Sequence, residues 1–347
     1  MPAPVFRKLI ITHTREEAPG VRTLLLEPVD GRPLQYRAGQ FLTLVLQHAG
    51  REIRRSYSMS SSPVTGEPAA ITVRRVENGI ASRELLDRRK PGDRLLSLEP
   101  TGLFTLPDDL SAYREIFLLA AGIGITPLFS LLKTLVHTHP GIRIYLLYST
   151  RSLATTVFYT PLQELARAHP EQLHIEYICS TAQDLTRARL NKGLLPLLVN
   201  ACSTAPQAQQ LFYVCGPPAY MRMCLMALEE MAYDREQVKK EIFDTQRAVP
   251  MLQPPDQAPH RVTIRMHGRT YQLRVQYPDT VLSAARKQDI PLPYSCETGR
   301  CGACAAQCVS GKIWMRYNEV LTGKDLAQGR VLTCTGYPVA GDVTLQL

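Results

Sequence analysis

The sequence predicts three domains in series: an antiparallel β-barrel, a doubly wound parallel α/β domain, and a C-terminal segment of strands built around a cysteine loop. Three observations predict it. Residues 1–110 break into short strand-like runs punctuated by Gly31, Gly39, Gly50 and Gly66, the pattern of a small antiparallel barrel. Residues 111–244 alternate apolar strands with helical runs, as a sheet covered on both faces requires. Residues 261–347 carry three cysteines at the spacing C-x4-C-x2-C and a fourth further on. Between the last two domains, 245–260 holds Pro250, Pro254, Pro255 and Pro259, a semi-stiff linker.

Composition bounds the possibilities. The 347 residues are 45% hydrophobic and 20% charged, enough for two or three domains with real cores. The start, Met1-Pro2-Ala3-Pro4-Val5-Phe6-Arg7-Lys8, has no apolar stretch of the signal-peptide kind. No apolar run approaches the ~20 residues of a spanning helix, so a soluble, cytoplasmic protein without membrane insertion is expected. Net charge is +9, and residues 261–347 hold 11 basic against 6 acidic side chains. Arg261, Arg265, Arg269 and Arg274 are spread along a strand-like pattern rather than gathered in a stripe with aromatics, so nucleic acid is not the expected partner. They read as a solvated sheet face or as a docking surface for an acidic protein.

In the barrel the clearest strands are 21–26, 41–46 and 71–76. Arg55-Ser56-Tyr57-Ser58 falls between two strands, and Asn78-Gly79-Ile80-Ala81-Ser82 leads into a short helix at 82–86. A guanidinium fork suits phosphate oxygens, and an aromatic face suits a flat conjugated ring. Ser82 at a helix start offers a hydroxyl and free N–H groups to a phosphate. A solvated Arg beside a packed Tyr is the plain alternative.

The α/β domain opens on the continuous apolar run 116–121, a strand buried on both faces. Gly122-Ile123-Gly124-Ile125-Thr126-Pro127 follows, then a helix to about 137. A glycine turn between strand and helix sets backbone N–H groups against a pyrophosphate, and Pro127 suits a first helical turn. Without a ligand the same residues make a tight strand–helix turn. Alternation continues with strands at 142–148, 173–178 and 211–214 and helices near 158–168, 194 and 220–231. The strand at 211–214 ends in Cys215-Gly216-Pro217-Pro218, where Cys215 is either functional or a small apolar residue closing a strand. Ser149-Thr150-Arg151-Ser152 follows the second strand, with no acid before Glu164. An acidic residue would bind the free ribose hydroxyls of NAD, whereas Arg accommodates the 2′-phosphate of NADP. Arg151 with Ser149 or Ser152 therefore favours NADPH over NADH, while Arg187 and Arg189 either add charge or face solvent.

The last domain reads as strands at 262–266, 271–275, 309–313 and 343–347, with a helix at 281–288. Cys296, Cys301, Cys304 and Cys334 have the plant-type spacing for a [2Fe–2S] cluster. Gly299, Gly302 and Ala303 let the backbone come close enough to aim N–H groups at the sulfurs. A four-thiolate zinc site usually pairs two short clips, and Cys334 has no second cysteine near it. Cys179, Cys202, Cys224 and Cys308 are expected as buried bystanders.

R-x-Y-S, G-x-x-S, G-x-G-x-T-P, C-G-P-P and the cysteine loop, in this order, resemble the ferredoxin–NADP⁺ reductase superfamily. Within it they resemble the single-chain reductase components of bacterial oxygenase systems, which end in a β-grasp ferredoxin domain. The resemblance implies that Arg55 meets flavin phosphates, Tyr57 packs on the isoalloxazine and Ser58 sits near its N5. It places the Gly79–Ser82 turn on the flavin, Gly122, Gly124, Thr126 and Pro127 on the dinucleotide, and Cys215, Gly216 and Pro217 beside the nicotinamide. Phe243 is a candidate cover for the flavin's second face. FAD is implied over FMN, because the similar reductases use FAD. Hydride then passes beside Ser58, Thr126 and Cys215, and single electrons leave through the cluster to an electron-accepting protein, an oxygenase, hydroxylase or desaturase component. Two other readings stay open: a redox-sensing or docking flavoprotein without sustained turnover, and an oxidoreductase acting directly on a small molecule.

Overall fold

A computed structural model describes residues 6–243, 250 and 252–347. Much of the expected linker, 244–249 and 251, lies outside the described residues. The chain divides into two compact units, one of Lys8–Pro100 with Phe104–Phe243 and one built on the C-terminal part.

The first unit begins with six antiparallel strands: β1 (Phe6–Ala18), β2 (Val21–Pro28), β3 (Phe41–His48), β4 (Arg51–Ser58), β5 (Ala69–Arg74) and β6 (Arg94–Leu98). Their order is β4-β3-β6-β1-β2-β5, and a bridge between Met59 and Ile71 ties the two edges together. Residues two apart, Leu9 and Ile11, Leu24 and Leu26, Leu42 and Leu44, Ile71 and Val73, all point into one core, as the strand period demands. The short helix α1 (Ile80–Arg83) runs into a wider turn at Glu84–Arg88 that buries Leu85 and Leu86 in the same core.

The Arg55–Ser58 motif, expected between strands, lies inside β4, with Tyr57 opposite Leu42 and Ser58 opposite Phe41. Arg51, Glu52, Arg54 and Arg55 hide the strand in the sequence, because an edge strand facing water on one side need not look apolar.

The same unit continues as β7 (Glu115–Ala121), α2 (Ile125–Thr138), β8 (Arg143–Thr150), α3 (Tyr159–Ala168), β9 (Leu173–Cys179), α4 (Leu194–Cys202), β10 (Gln210–Cys215), α5 (Pro218–Glu230) and β11 (Val238–Glu241). The five strands are parallel in the order β11-β10-β7-β8-β9. Ile116, Leu118 and Ala120 of β7 share a core with Leu128 of α2 and Leu162 of α3. Phe117 and Leu119 share another with Leu195 of α4 and Leu228 of α5. The central strand thus buries both faces, each large side chain stabilising by roughly 1.5–3 kcal/mol. Strand β11, Val-Lys-Lys-Glu, was not expected.

The second unit holds β12 (His260–Met266), β13 (Arg269–Val275), α6 (Val281–Lys287), β14 (Ala305–Ser310), β15 (Ile313–Met315), α7 (Gly323–Ala327), β16 (Arg330–Leu332), β17 (Gly336–Pro338) and β18 (Val343–Gln346). A five-stranded sheet, β13-β12-β18-β14-β16, packs against α6, and β15 pairs with β17. Thr280 caps α6 by accepting from Ser283 N at 3.1 Å. The single strand expected at 309–313 is instead a break between β14 and β15. Gly311 turns the chain there with φ +80°, and a Cβ would lie 2.3 Å from Asp342 O. Of the four cysteines expected to be buried bystanders, only Cys224 is fully buried; Cys179, Cys202 and Cys308 are half-buried. No helix among the described residues is long and apolar enough to cross a membrane.

Candidate functional site

Three strand ends build the first part of the site. Ser58 ends β4, is 4% exposed, and donates its hydroxyl to Glu241 Oε2 at 3.1 Å. Glu241 ends β11 opposite Cys215, the last residue of β10. Gly124 lies against the same place: a Cβ there would sit 2.3 Å from Cys215 O and 2.7 Å from Gly216 N. One residue beyond Ile125, Thr126 is buried in the first turn of α2 and donates to Ile123 O at 3.0 Å. Pro127 follows in that turn. Ser58, Glu241, Cys215, Gly124 and Thr126 therefore form one connected cluster at the carboxyl ends of parallel strands, where open α/β sheets bind ligands.

Burial sets the protonation of this cluster. It pushes Glu241 up to about 8, with Ser58 opposing, and pushes the Cys215 thiol well above its usual range, helped by Glu241. Cys215 is thus a neutral, close-packed thiol rather than a thiolate. On β4, Arg55 and Tyr57 share one face. Arg55 is exposed and donates to Arg54 O at 2.7 Å, while burial raises the half-buried Tyr57 phenol to about 12 against the pull of Arg55. The Ser82 hydroxyl is occupied within its own turn, accepting from Val76 N at 3.1 Å and donating to Gly79 O at 3.3 Å. A Cβ on Gly79 would meet that hydroxyl at 2.6 Å. The hydroxyl thus braces the turn from which the short helix α1 starts. Phe243 is 40% exposed.

A cleft of about 950 Å³ opens beside the cluster. Gly122, with φ +54°, and Pro217 line it, together with Ser149 near the end of β8 and Arg151 just past it. Tyr148 donates to Gly122 O at 3.0 Å and fixes the glycine turn. Gly216 packs under the cleft, where a Cβ would touch Tyr220 and Ala121 within 3 Å. Ser149 and Tyr220 put two buried hydroxyls side by side in this wall, next to Cys224. Arg74, at the end of β5, and Arg189 bring two more guanidinium groups to the lining, and no carboxylate lines it among the described residues. Arg187 does not join them; it pairs with Glu176 at 2.8 Å.

The cysteine loop is shaped by residues in the left-handed region: Glu297 (φ +56°), Gly299 (φ +75°) and Gly302 (φ +76°). A Cβ on Gly299 would lie 2.7 Å from Tyr317 O. Thr298 N and Ala303 N point at the sulfurs of Cys296 and Cys301, each at 3.4 Å. The thiols contact one another two and two, Cys296 with Cys301 and Cys304 with Cys334. No three metal-ligating side chains are grouped for a single ion among the described residues. Paired thiolates fit two irons, two ligands each. Thr333, beside Cys334, bonds Cys304 O through its hydroxyl at 3.2 Å and so joins the last ligand to the loop.

Comparison with known proteins agrees domain by domain. Residues 11–105 match the oxidoreductase FAD-binding domain, 118–225 the oxidoreductase NAD-binding domain, and 264–339 the 2Fe-2S iron-sulfur cluster binding domain. The ferredoxin reductase component of 3-ketosteroid-9-alpha-monooxygenase from Mycobacterium tuberculosis is 33% identical over 352 residues, covering 97% of this chain and 94% of that one. The chain belongs to the reductase components of oxygenases. A component of the 1,2-phenylacetyl-CoA epoxidase from Escherichia coli is 30% identical, covering 90% of each chain. Phthalate dioxygenase reductase shares the fold, with a TM-score of 0.61 and 24% identity over 99% of this chain and 98% of that structure. The reductase is thus an oxidoreductase with FAD, pyridine-nucleotide and [2Fe–2S] domains.

Sequence reasoning missed two residues of the site in this reductase. Glu241 sits in a polar strand with no motif around it, and only its place near the end of the second domain set it apart. Arg74 lies in the barrel, and its position beside Gly122 is a consequence of packing. A basic residue within an otherwise apolar strand was its only signal.

Proposed function

We propose that the reductase draws hydride from NADPH in preference to NADH and delivers single electrons to an oxygenase, hydroxylase or desaturase component. The observation that carries the nucleotide preference is the cleft with Arg74, Arg151 and Arg189 in its lining and no carboxylate among its described residues. NADPH adds a dianionic phosphate, which a guanidinium-rich wall without carboxylates suits. FAD supplies a carrier that accepts a hydride and releases electrons singly, which the [2Fe–2S] centre then relays one at a time.

The protein's own part is to bind, orient and exclude water. Gly122, Gly124, Thr126 and Pro127 would hold the pyrophosphate, Ser149 and Arg151 the 2′-phosphate, and Cys215, Gly216 and Pro217 the nicotinamide ring. Arg55, Tyr57, Ser58, Gly79 and Ser82 would hold the FAD. Ser58, hydrogen-bonded to a largely protonated Glu241 at neutral pH, keeps a proton at its hydroxyl oxygen and a neutral wall around the ring-binding place. Cys296, Cys301, Cys304 and Cys334 would ligate the cluster. In this reading residues 1–110 bind flavin, 111–244 bind nucleotide and 261–347 carry the cluster, with 245–260 as the link.

The partner reading rests on relatives named for monooxygenase and epoxidase systems and on charge. Arg261, Arg265, Arg269 and Arg274 are all exposed, which suits an acidic docking surface. Nine free cysteines suit a reducing compartment, the cytoplasm. The test is an anaerobic titration with NADPH and with NADH, following flavin and cluster absorbance. NADPH is expected to bleach both at far lower concentration. Arg151→Ala, losing a charge-assisted hydrogen bond of about 1.5–3 kcal/mol, should raise the NADPH KM roughly tenfold or more and leave NADH nearly unchanged. Equal effects on both nucleotides would refute the preference.

A further inference from the structure

The cysteine loop encloses a charge that the ligand set does not require. Arg300 lies between Gly299 and Cys301 and is 4% exposed. Its Nε donates to Glu319 Oε2 at 2.8 Å, and the Tyr317 hydroxyl donates to the same oxygen at 2.7 Å. The guanidinium also lies over the Tyr317 ring, 5.3 Å from its centre. The segment carrying these partners is fastened to the loop from both sides. Glu319 N donates to Gly299 O at 3.0 Å, and Thr335 Oγ1, next to Cys334, donates to Tyr317 O at 2.8 Å.

Packing alone does not account for this arrangement. Burying an ion pair costs more than filling the same space with apolar side chains, and the loop already has its turns from Gly299 and Gly302. What an apolar filler cannot supply is fixed charge on the loop that carries Cys296, Cys301 and Cys304. The potential of an iron–sulfur centre follows its local net charge and the hydrogen bonds to its sulfurs. A fully buried cation on the loop favours the state with one more electron. A carboxylate that is partly exposed, 30% for its side chain, offsets only part of that effect, because water screens it.

We propose that Arg300, held by Glu319 and Tyr317, sets the reduction potential of the cluster and so the driving force for electrons leaving the reductase. The inference rests on the four cysteines holding a [2Fe–2S] cluster. Arg300 is a positioning residue of the electrostatic kind: it acts through its field and ligates nothing.

The test is a potentiometric titration of the full-length protein, monitored by the electron paramagnetic resonance of the reduced cluster. Glu319→Gln keeps shape and removes the one negative charge of this pair, so the reduced-to-oxidised ratio at a fixed potential should rise on the order of tenfold, ~59 mV for one electron. Arg300→Gln should move it the opposite way, and the double variant should return towards wild type. Opposite shifts at unchanged cluster content are what a charge role gives. A loop-packing role would instead lower cluster content in both variants without opposed shifts, and that result would overturn the proposal. Shifts of the same sign would overturn it too. A wild-type protein without a [2Fe–2S] signal would overturn the cluster reading itself, an outcome distinct from unmoved potentials.

Discussion

Burial holds the Glu241 carboxyl at about 8 rather than its ordinary 4.5, and the Ser58 hydroxyl pulls the other way. Between those values the folded protein keeps a proton that the unfolded chain has released. Stability therefore falls as pH rises through this window and levels off above about 8. Glu241→Gln removes this contribution, so its melting temperature should decline less steeply than that of wild type over the same range. Melts of the flavin-loaded proteins from about pH 5 to about pH 9 check this, and parallel curves would contradict it. The residue scale is also where the sequence was least legible. Cys215 and Thr126 were singled out by motifs set beside glycine turns, and Arg151 by the lack of an acid after the second strand. Glu241 and Arg74 were not, because their environment is made by other strands. Ser82 is an intermediate case: its hydroxyl bonds Val76 N and Gly79 O within the turn itself, a local contact that no motif spells out.

At the scale of elements, the join between two turns decides whether the nucleotide cleft can form. The Gly122–Gly124 turn and the Cys215–Pro217 turn follow adjacent parallel strands, and a Cβ on Gly124 would lie 2.3 Å from Cys215 O. That neighbour is backbone and cannot rotate away. Gly124→Ala must then push the start of α2 off β10, and displacements near 1 Å in a binding turn cost on the order of a hundredfold. The expected outcome is an NADPH KM raised at least tenfold with flavin content unchanged. Steady-state kinetics with an artificial acceptor, beside the flavin absorbance, would check it; a KM within about twofold of wild type would contradict the packing argument. The elements that sequence reading placed well were those buried on both faces, such as β7 and β10, whose apolar runs leave no second reading. Those it missed are short or polar. Lys239 and Lys240 conceal β11, and Gly311 breaks a β-rich run into two strands.

For the molecule as a whole, domain order was legible because each domain carries its own motif. A loop of cysteines constrains its neighbours so tightly that spacing alone specifies it. The same order makes a claim about sequence of events. Every residue proposed to touch nucleotide or flavin lies in one compact unit, and the four cysteines lie in the other. If electrons pass through them in series, removing a cluster ligand should silence only the last step. Cys334→Ala deletes a buried thiol that contacts Cys304 and leaves Ser58, Glu241 and the arginine-lined cleft untouched. NADPH-driven reduction of ferricyanide, which can take electrons before the cluster, should stay within about twofold of wild type, and one-electron delivery to a protein acceptor should fall at least a hundredfold. Flavin content measured on the same sample separates a broken relay from a broken fold. Were ferricyanide turnover to collapse equally while flavin stayed bound, electrons would have to reach the small acceptor through the cluster as well, and the two-unit division of labour would be wrong.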